Sequence, residues 1–367
     1  MTTGVFIKET VSVQSSAPTG STVAGTIGTG TDGSPTSELG EPTLVHELAE
    51  AVEVFGSEGT LSDAARFHFA LNTSPFVGVR YDNTLTGPAL ETALTAAITA
   101  LGKVEATLGV RPDFLASNGT TFSSRSDTTG DDNATLFKTI AGTLQAKVLA
   151  DGANDSRANA VTWATVNGGN DLIATPQEAT TPVGNMFGSA VLMPSIVNLI
   201  SRLGIGESIS NKPLTHITSA TPAYGHHPGT TNDDADALRA AGALLIVRDL
   251  QGTWRAWGGD TRYSPADDPR SAYNVDMIVR HAYRRIREIA ETAIDASGVL
   301  ERLDSVVVRI NGLLSALQAR GDFASFTVAP DNTQNTSVNL AQGRIYLIIT
   351  LQPTRSVKSI TLNVEIS

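Results

Sequence analysis

The sequence predicts an α/β (α+β) protein with a layered βαβ-type middle domain and a second α/β domain that includes both chain termini. Short apolar strand patterns alternate with helix patterns between about residues 41 and 214, which is typical of βαβ units. Two long amphipathic helix patterns follow in the second half of the chain. Both chain ends show the period of two that is typical of strands.

The predicted elements follow one another without an internal repeat. In the middle region, helices are predicted at residues 60–71, 88–108, 134–143, 155–165 and 189–202, and strands at 76–81, 112–116, 147–150 and 172–175. In the second half, helices are predicted at 235–241, 275–294 and 301–320, and strands at 244–249, 254–257, 324–329 and 343–351.

The strands at the two chain ends carry an apolar stripe on one side. The stripes consist of Val5, Ile7, Val11 and Val13 at the start and of Ile360, Leu362, Val364 and Ile366 at the end. A lone strand is unstable in water, so each must join a sheet. We expect β-augmentation between subunits, in which these strands pair with the strand that carries Ile345, Leu347 and Ile349 in another copy. The alternative is that both strands complete the chain's own sheet.

The segment behind the first strand is rich in Gly, Ser, Thr and Pro over residues 15–40. This composition is typical of flexible linkers. We therefore predict an amino-terminal arm, consisting of a strand and a linker, over residues 1–40.

Composition excludes several classes of function. The 367 residues carry a formal net charge of -11, which opposes generic binding to nucleic acid. The chain has no cysteine, which excludes disulfides, thiolate nucleophiles and cysteine-bound metals and is compatible with a reducing cytoplasm. Neither a signal-peptide pattern nor an apolar run of membrane-spanning length is recognised. We expect no direct contact with nucleic acid or membrane.

Motifs for chemistry are weak. Residues 28–33 fit G-x-G-x-x-G, but SPTSELG follows where a dinucleotide site needs a helix. His226 and His227 stand near Asp233 and two further aspartates, yet the segment is more typical of a loop and a helix N-cap than of a metal site. With no recognisable pair of nucleophile and base, we expect no catalytic residue, cofactor or metal. An enzyme built on the βαβ region remains the alternative.

The order of several segments resembles one protein family. GVFIKET opens the chain, and EPTLVHELAEAVEVFGS, LSDAARFHFA and PFVGVRYD follow as a strand, an FG turn, a helix and a strand. Later come MPSIVNLISRLGIGESISNKPLTHI, the block from DADALRAAGALLIVRDL through WGGDT to YNVDMIVRHAYRRIREIAETAI, and VAPDNTQNTSVNLAQGRIYLIITLQP. This order resembles the tail sheath proteins of contractile phages and related contractile injection machines. The best motifs lie in residues 235–290 and 324–366.

The resemblance implies a structural subunit that polymerises as stacked hexameric rings around a tail tube. Contraction would then drive the tube through the host envelope for genome ejection. It implies an outer domain over residues 41–229, an inner, tube-proximal sheath domain over 230–355 and a carboxyl-terminal strand arm over 356–367. The implied partners are further copies of the chain, the tail tube protein, and baseplate and tail terminator proteins. The implied location is the virion tail, after assembly in the bacterial host cytoplasm.

Alternatives within and beyond this class stay open. The sheath could belong to a bacterial injection device or tailocin rather than to a phage, and the chain could be a scaffold that does not contract.

Arginines at helical spacing are the candidate tube contacts, because a basic stripe on an acidic protein suits an acidic tube surface. They are Arg280, Arg284, Arg285 and Arg287, with Arg302 and Arg309 on the next helix as competing candidates. The other interpretation is a solvated face with ion pairs one turn apart, such as Arg284–Glu288 and Arg287–Glu291.

Overall fold

The computed structural model describes residues 22–31, 35–121, 124–226, 233–262, 268–294 and 299–354. The chain divides into two compact units. The sheet unit comprises the described residues up to 204 together with those of 208–273. The helical unit comprises residues 205–207 and the described residues from 274 onward.

Helices and strands alternate along most of the described chain. The strands are β1 (Ala24–Thr29), β2 (Pro42–Val45), β3 (Phe76–Tyr81), β4 (Phe114–Ala116), β5 (Lys147–Asp151), β6 (Leu172–Thr175), β7 (Glu178–Thr181), β8 (Gly184–Phe187), β9 (Ser219–Thr221), β10 (Leu244–Arg248), β11 (Trp254–Gly258), β12 (Phe323–Pro330) and β13 (Leu347–Pro353). The helices are α1 (Leu48–Phe55), α2 (Thr60–Leu71), α3 (Gly87–Leu101), α4 (Val104–Leu108), α5 (Asp132–Leu144), α6 (Arg157–Asn167), α7 (Gly188–Leu203), α8 (Asp234–Ala240), α9 (Tyr273–Glu291), α10 (Val299–Ala319) and α11 (Ser337–Ala341).

A six-stranded sheet forms the centre of the sheet unit, in the order β2-β3-β1-β4-β5-β6. All its strands run parallel except β2, which pairs antiparallel with β3 at one edge. At the other edge, a parallel bridge between Ala174 and Ala243 brings the β10–β11 hairpin beside β6. The sheet unit is therefore a doubly wound α/β layer whose two edges are β2 and the β10–β11 hairpin.

Apolar residues of the central strands cover both faces of the sheet. Val77 and Val79 of β3 belong to the core that includes the buried side chains of α3 and α5. Phe76 points to the opposite face, where its ring meets Phe55 with centroids 6.2 Å apart. Helices α2 and α7 contact each other and β1 on that face. The sequences of strands that are buried on both sides consist of short runs of apolar residues, and for this reason their positions are well predicted.

Strand β1 corrects the prediction of a flexible linker over residues 15–40. It lies between β3 and β4, and residues 24–28 are buried. Its glycines are required by close packing: a Cβ on Gly25 would come within 2.9 Å of Leu115, and one on Gly28 within 2.6 Å of the Leu61 nitrogen. A small-residue composition therefore permits close approach of neighbours at the sheet centre.

Other differences are local. The helix predicted over residues 88–108 is two helices, since α3 ends at Leu101, the amide of the following Gly102 bonds back to Thr99, and α4 begins at Val104. The strand that the resemblance implies in EPTLVHELAEAVEVFGS is β2, whereas helices α1 and α11 and strands β7–β9 were not predicted as separate elements. No helix within the described residues is both long and apolar enough to span a bilayer.

The helical unit contains most of α9, all of α10 and the antiparallel pair β12–β13. Helix α10 contacts β12 and contributes the buried side chains Ile310, Leu314 and Leu317. Helix α9 is amphipathic, with Ile278, Val279, Ala282 and Ile286 buried. The mixed helix and strand content confirms the predicted α/β class. The compact units divide the chain at other points than residues 40, 229 and 355, and the assignment of outer and inner domains stays a prediction.

Candidate assembly surfaces

The first candidate surface is the pair β12–β13, here called the ribbon. Its register joins Phe326 to Leu351, Val328 to Ile349 and Pro330 to Leu347, so that apolar residues face each other on one side. The intervening pairs, among them Thr327–Thr350, are exposed. Among the described residues each strand pairs on one side only. An isolated two-stranded sheet is marginally stable in water, so each open edge is a template for a further strand.

The loop of the ribbon is fixed by three side chains. The Asp331 carboxylate accepts from the Thr333 hydroxyl at 2.6 Å and from backbone amides, and these hydrogen bonds lower its pKa. Asn335 bonds to both backbone groups of Tyr346 at 2.8 Å. Thr336 caps α11 by accepting from the Asn339 amide. The residues of the D-x-x-x-N-T pattern thus fix the turn that leads into β13.

The structure places only some of the predicted intersubunit residues. Leu347 and Ile349 lie in β13 and are half-buried, whereas Ile345 precedes the strand, which begins four residues later than predicted. The strand begins there because Asn335 occupies the backbone groups of Tyr346. The residues Val5, Ile7, Val11, Val13, Ile360, Leu362, Val364 and Ile366 lie outside the described part of the chain. Pairing of the end strands between subunits therefore stays a prediction.

The second candidate surface is the arginine face of α9. Arg280 is only 8% exposed and donates from Nε to Asp276 at 2.7 Å, so it does not lie on an exposed stripe as predicted. Arg284 is half-buried. Arg285 and Arg287 are exposed and pair one turn later with Glu288 at 3.1 Å and Glu291 at 2.6 Å. The exposed basic surface of α9 is thus narrower than the spacing predicts, and acidic neighbours pair with it.

The predicted ion pairs are found in part. Arg287–Glu291 is present, but Glu288 is paired by Arg285 three residues earlier rather than by Arg284. On α10, Arg309 is exposed and donates from Nη1 to the Thr292 hydroxyl at 2.6 Å, which links it to the end of α9. The helix position of Arg302 is described, its side chain is not.

The sheet unit also contains the position where doubly wound folds bind small molecules. This position lies at the carboxyl ends of β1 and β4, where the strand order reverses. Here Asn118 fills the crevice, since its Nδ2 donates to the carbonyls of Ile27 and Thr60 at 3.1 and 3.0 Å. The ring of Phe187 lies where a Cβ on Gly119 would be. The chain's own residues thus occupy the place of a ligand.

Next to Asn118, the carboxylate of Asp151 accepts five hydrogen bonds. The donors are the hydroxyls of Ser117, Thr175 and Ser189 and the amides of Gly119 and Ser189, at 2.5–2.9 Å. Burial raises the pKa of Asp151, and these hydrogen bonds oppose the rise. A fully bonded carboxylate that ties four chain segments together serves packing, and nothing in this geometry provides a free nucleophile or base.

The histidine and aspartate segment has a structural explanation. Asp233 caps α8 by accepting from the Ala235 amide, as predicted, and its carboxylate lies 3.7 Å from His226 Nδ1. The His226 ring packs on Trp257. His227 lies outside the described residues. Among the residues with described positions, no group of three or more His, Asp or Glu is arranged to hold a metal ion.

Fold and surfaces together define a two-unit α/β protein whose candidate functional features are an open strand ribbon and charged helix faces. No protein-family model and no curated protein sequence matches the chain. Solved structures do match it along its whole length.

Three of these structures illustrate the likeness. A chain of the anti-feeding prophage baseplate, solved by cryo-EM with 6-fold symmetry, has a TM-score of 0.74 at 17% identity and covers 100% of this chain and 99% of that chain. A chain of the contracted helical sheath of the anti-feeding prophage has a TM-score of 0.71 at 18% identity, covering 99% and 98%. The sheath tail protein of Desulfitobacterium hafniense has a TM-score of 0.62 at 10% identity, covering 97% and 98%. The chain therefore has the fold of contractile sheath proteins, which confirms the predicted resemblance at the level of the fold.

Proposed function

We propose that the chain is the structural subunit of a contractile tail sheath. The observation that carries this proposal is the likeness to sheath proteins, which covers 97–100% of this chain in the three structures. Copies assemble into stacked hexameric rings around a tail tube, and contraction of the stack moves the tube through the target envelope. The chain acts by binding and rearrangement, without catalysis.

The ribbon supplies the physical basis for assembly. Within the described part of the chain its strand edges are open, while the apolar stripes of the two chain ends need a sheet to join. Pairing between copies satisfies both, and head-to-tail contacts that do not close build a helical tube. Main-chain pairing through the end strands keeps neighbours connected while the compact units change their mutual arrangement. The energy for contraction is stored at assembly, as an extended state trapped behind a kinetic barrier.

A second form of the proposal concerns the assembly that contains the sheath. The likeness is stronger to the anti-feeding prophage sheath, with a TM-score of 0.71, than to the Desulfitobacterium sheath tail protein, with 0.62. This favours an injection device over a phage that ejects a genome. In either case the proposed partners are the tube protein, a baseplate protein and a terminator protein of the same assembly.

Negative-stain microscopy of the purified full-length chain tests the proposal. A sheath subunit is expected to form long tubes of uniform width at high protein concentration. A monomer that stays dispersed over the same range, in sedimentation as well as in images, would argue against it. Turnover of a small molecule by the monomer would favour the alternative of an enzyme.

A further inference from the structure

The tip of the β10–β11 hairpin presents an apolar side chain on a rigid turn. Leu250 is 86% exposed, more than any other large apolar side chain among the described residues. The carboxylate of Asp249 fixes the turn. It accepts hydrogen bonds from the amides of Gln251 and Thr253 at 2.9 and 2.8 Å and from Arg255 Nε at 2.5 Å. Because the turn is already ordered, little conformational entropy is lost when Leu250 is buried by a partner.

The hairpin tip is also basic. Arg248 is exposed, donates from Nε to the Gly252 carbonyl at 3.0 Å and lies 5.7 Å above the centre of the Trp254 ring. No carboxylate is paired with Arg248 in the part of the chain that the structure describes. Leu250 on its ordered turn, beside a guanidinium that no described carboxylate neutralises, fits an apolar surface with acidic neighbours.

Such a surface lies on α1. Leu48 and Val52 are one turn apart on this helix and are 43% and 36% exposed. Residues 38–58 contain six glutamates and no lysine or arginine. Among these glutamates, Glu47 and Glu53 are exposed and belong to α1 or directly precede it.

The two surfaces lie at opposite edges of the same sheet. Helix α1 follows and contacts β2, the edge strand on one side, and the hairpin stands beside β6 on the other. Seven strand spacings of about 4.8 Å separate β2 from β11, or roughly 34 Å. Complementary patches at opposite ends of one body cannot meet within a copy, and between copies they form a head-to-tail contact.

We propose that the β10–β11 hairpin tip of one copy docks on the acidic and apolar face of α1 in the next copy. Leu250 packs against Leu48 and Val52, and Arg248 pairs with a glutamate of α1. The contact rests on the proposed self-assembly and adds to the end strands a second, side-chain connection between sheet units of neighbouring copies.

Cysteine cross-linking tests this contact, because the natural chain has no cysteine to interfere. The double variant Leu250→Cys with Leu48→Cys is oxidised, both assembled and as concentrated unassembled protein, and run on a non-reducing gel. A head-to-tail contact gives a ladder of covalent oligomers beyond the dimer, whereas each single variant stops at the dimer. The matched control is Leu250→Cys with Leu203→Cys, because Leu203 is also 43% exposed and lies in the sheet unit.

A ladder at least tenfold stronger than the control supports the contact, and a ladder no stronger than the control in both samples overturns it. On the double-cysteine background, Arg248→Glu is expected to weaken the ladder and added Glu47→Arg to restore it. A loss of the ladder by misfolding would not be restored by the second charge. Tubes without the ladder would leave the sheath proposal standing and refute the contact. A ladder without tubes would support the contact and argue against the sheath proposal.

Discussion

The side chain of Asn335 bonds to both backbone groups of Tyr346, donating to its carbonyl and accepting from its amide at 2.8 Å each. The Asn335 side chain thereby makes the pair of hydrogen bonds that a residue of a neighbouring strand would make to Tyr346, immediately before β13. The open edge of the ribbon is thus held in register by the loop as well as by β12.

Replacement of Asn335 by alanine is expected to loosen the ribbon without unfolding the chain. Two half-buried hydrogen bonds worth about 1 kcal/mol each are lost in the helical unit. We expect faster hydrogen exchange of the amides in β13 and a lower yield of tubes, with an unchanged melting temperature of the sheet unit. Gln342→Ala, an exposed position of the same loop, is the control and should leave both properties unchanged. Equal exchange in both variants would contradict this role for Asn335.

Removal of residues 1–13 or of residues 356–367 is expected to leave a folded monomer that cannot form tubes. Neither deletion touches β1, which begins at Ala24, or β13, which ends at Pro353, so both compact units keep their described strands. Circular dichroism should show a folded chain, and negative-stain images should show dispersed particles. Normal tubes from both truncated proteins would refute the pairing of end strands between subunits.

Arg280 and Arg287 form ion pairs with the same spacing on α9, but the consequences of their replacement should differ. Arg280 and Asp276 are buried, with side chains 10% and 5% exposed, whereas Arg287 and Glu291 are about half exposed. Arg280→Ala leaves a buried carboxylate without this partner and should lower the free energy of unfolding by about 3–5 kcal/mol. Arg287→Ala should cost less than about 1 kcal/mol. Urea unfolding of the two variants measures the difference, and similar midpoints would contradict the placement of Arg280.

Charge reversal on the exposed part of α9 tests its contact with the tube. Arg285→Glu with Arg287→Glu removes two cations and leaves four neighbouring acidic groups, which an acidic tube surface would repel. We expect sheath tubes to form as before, while co-assembly with the tube protein falls severalfold in a pull-down at low salt. Arg309→Glu on α10 is the competing variant. The helix whose variant loses the tube protein is the one that faces it, and unchanged co-assembly in both cases would refute the basic contact.

Strand β1 illustrates which part of the fold the sequence reveals. Buried strands such as β3 and β5 carry Val, Leu and Phe, and their short apolar runs predict them well. The AGTIGT segment of β1 has the composition of a linker, yet it lies at the centre of the sheet. Its position depends on Leu61 and Leu115, distant residues that leave no room for a side chain on Gly28 and Gly25. Such close approaches are properties of tertiary structure and have no local signal.

The candidate surfaces were predictable to a different degree. Helical spacing identified the arginines of α9 but could not indicate that Arg280 pairs with Asp276 in a buried position. The hairpin tip and α1 escaped prediction because a single leucine in a turn and an exposed leucine in a helix are ordinary in sequence. Their relationship depends on the strand order, which places them at opposite edges of one sheet.

His68 should make the sheet unit sensitive to acid. Its ring is fully buried against Phe76, with Nε2 donating to the Ser74 carbonyl at 2.8 Å, and burial lowers its pKa to about 4. In the unfolded chain the histidine binds a proton at its ordinary pKa of 6.5. The neutral His68 therefore costs no stability above pH 6.5, and the free energy of unfolding falls as the pH decreases from 6.5 towards 4. The loss over this range is about 3 kcal/mol.

His68→Gln removes this titration while its amide can still donate to Ser74. The stability advantage of the natural protein over the variant, measured by urea unfolding, should therefore shrink by about 3 kcal/mol between pH 7 and pH 4. Asp131→Asn provides a control of opposite sign. Burial raises the pKa of Asp131 to about 6, so the natural carboxyl gains stability relative to the variant as the pH falls below 6. A difference between the natural protein and His68→Gln that stays constant from pH 7 to pH 4 would show that His68 does not titrate as its burial requires.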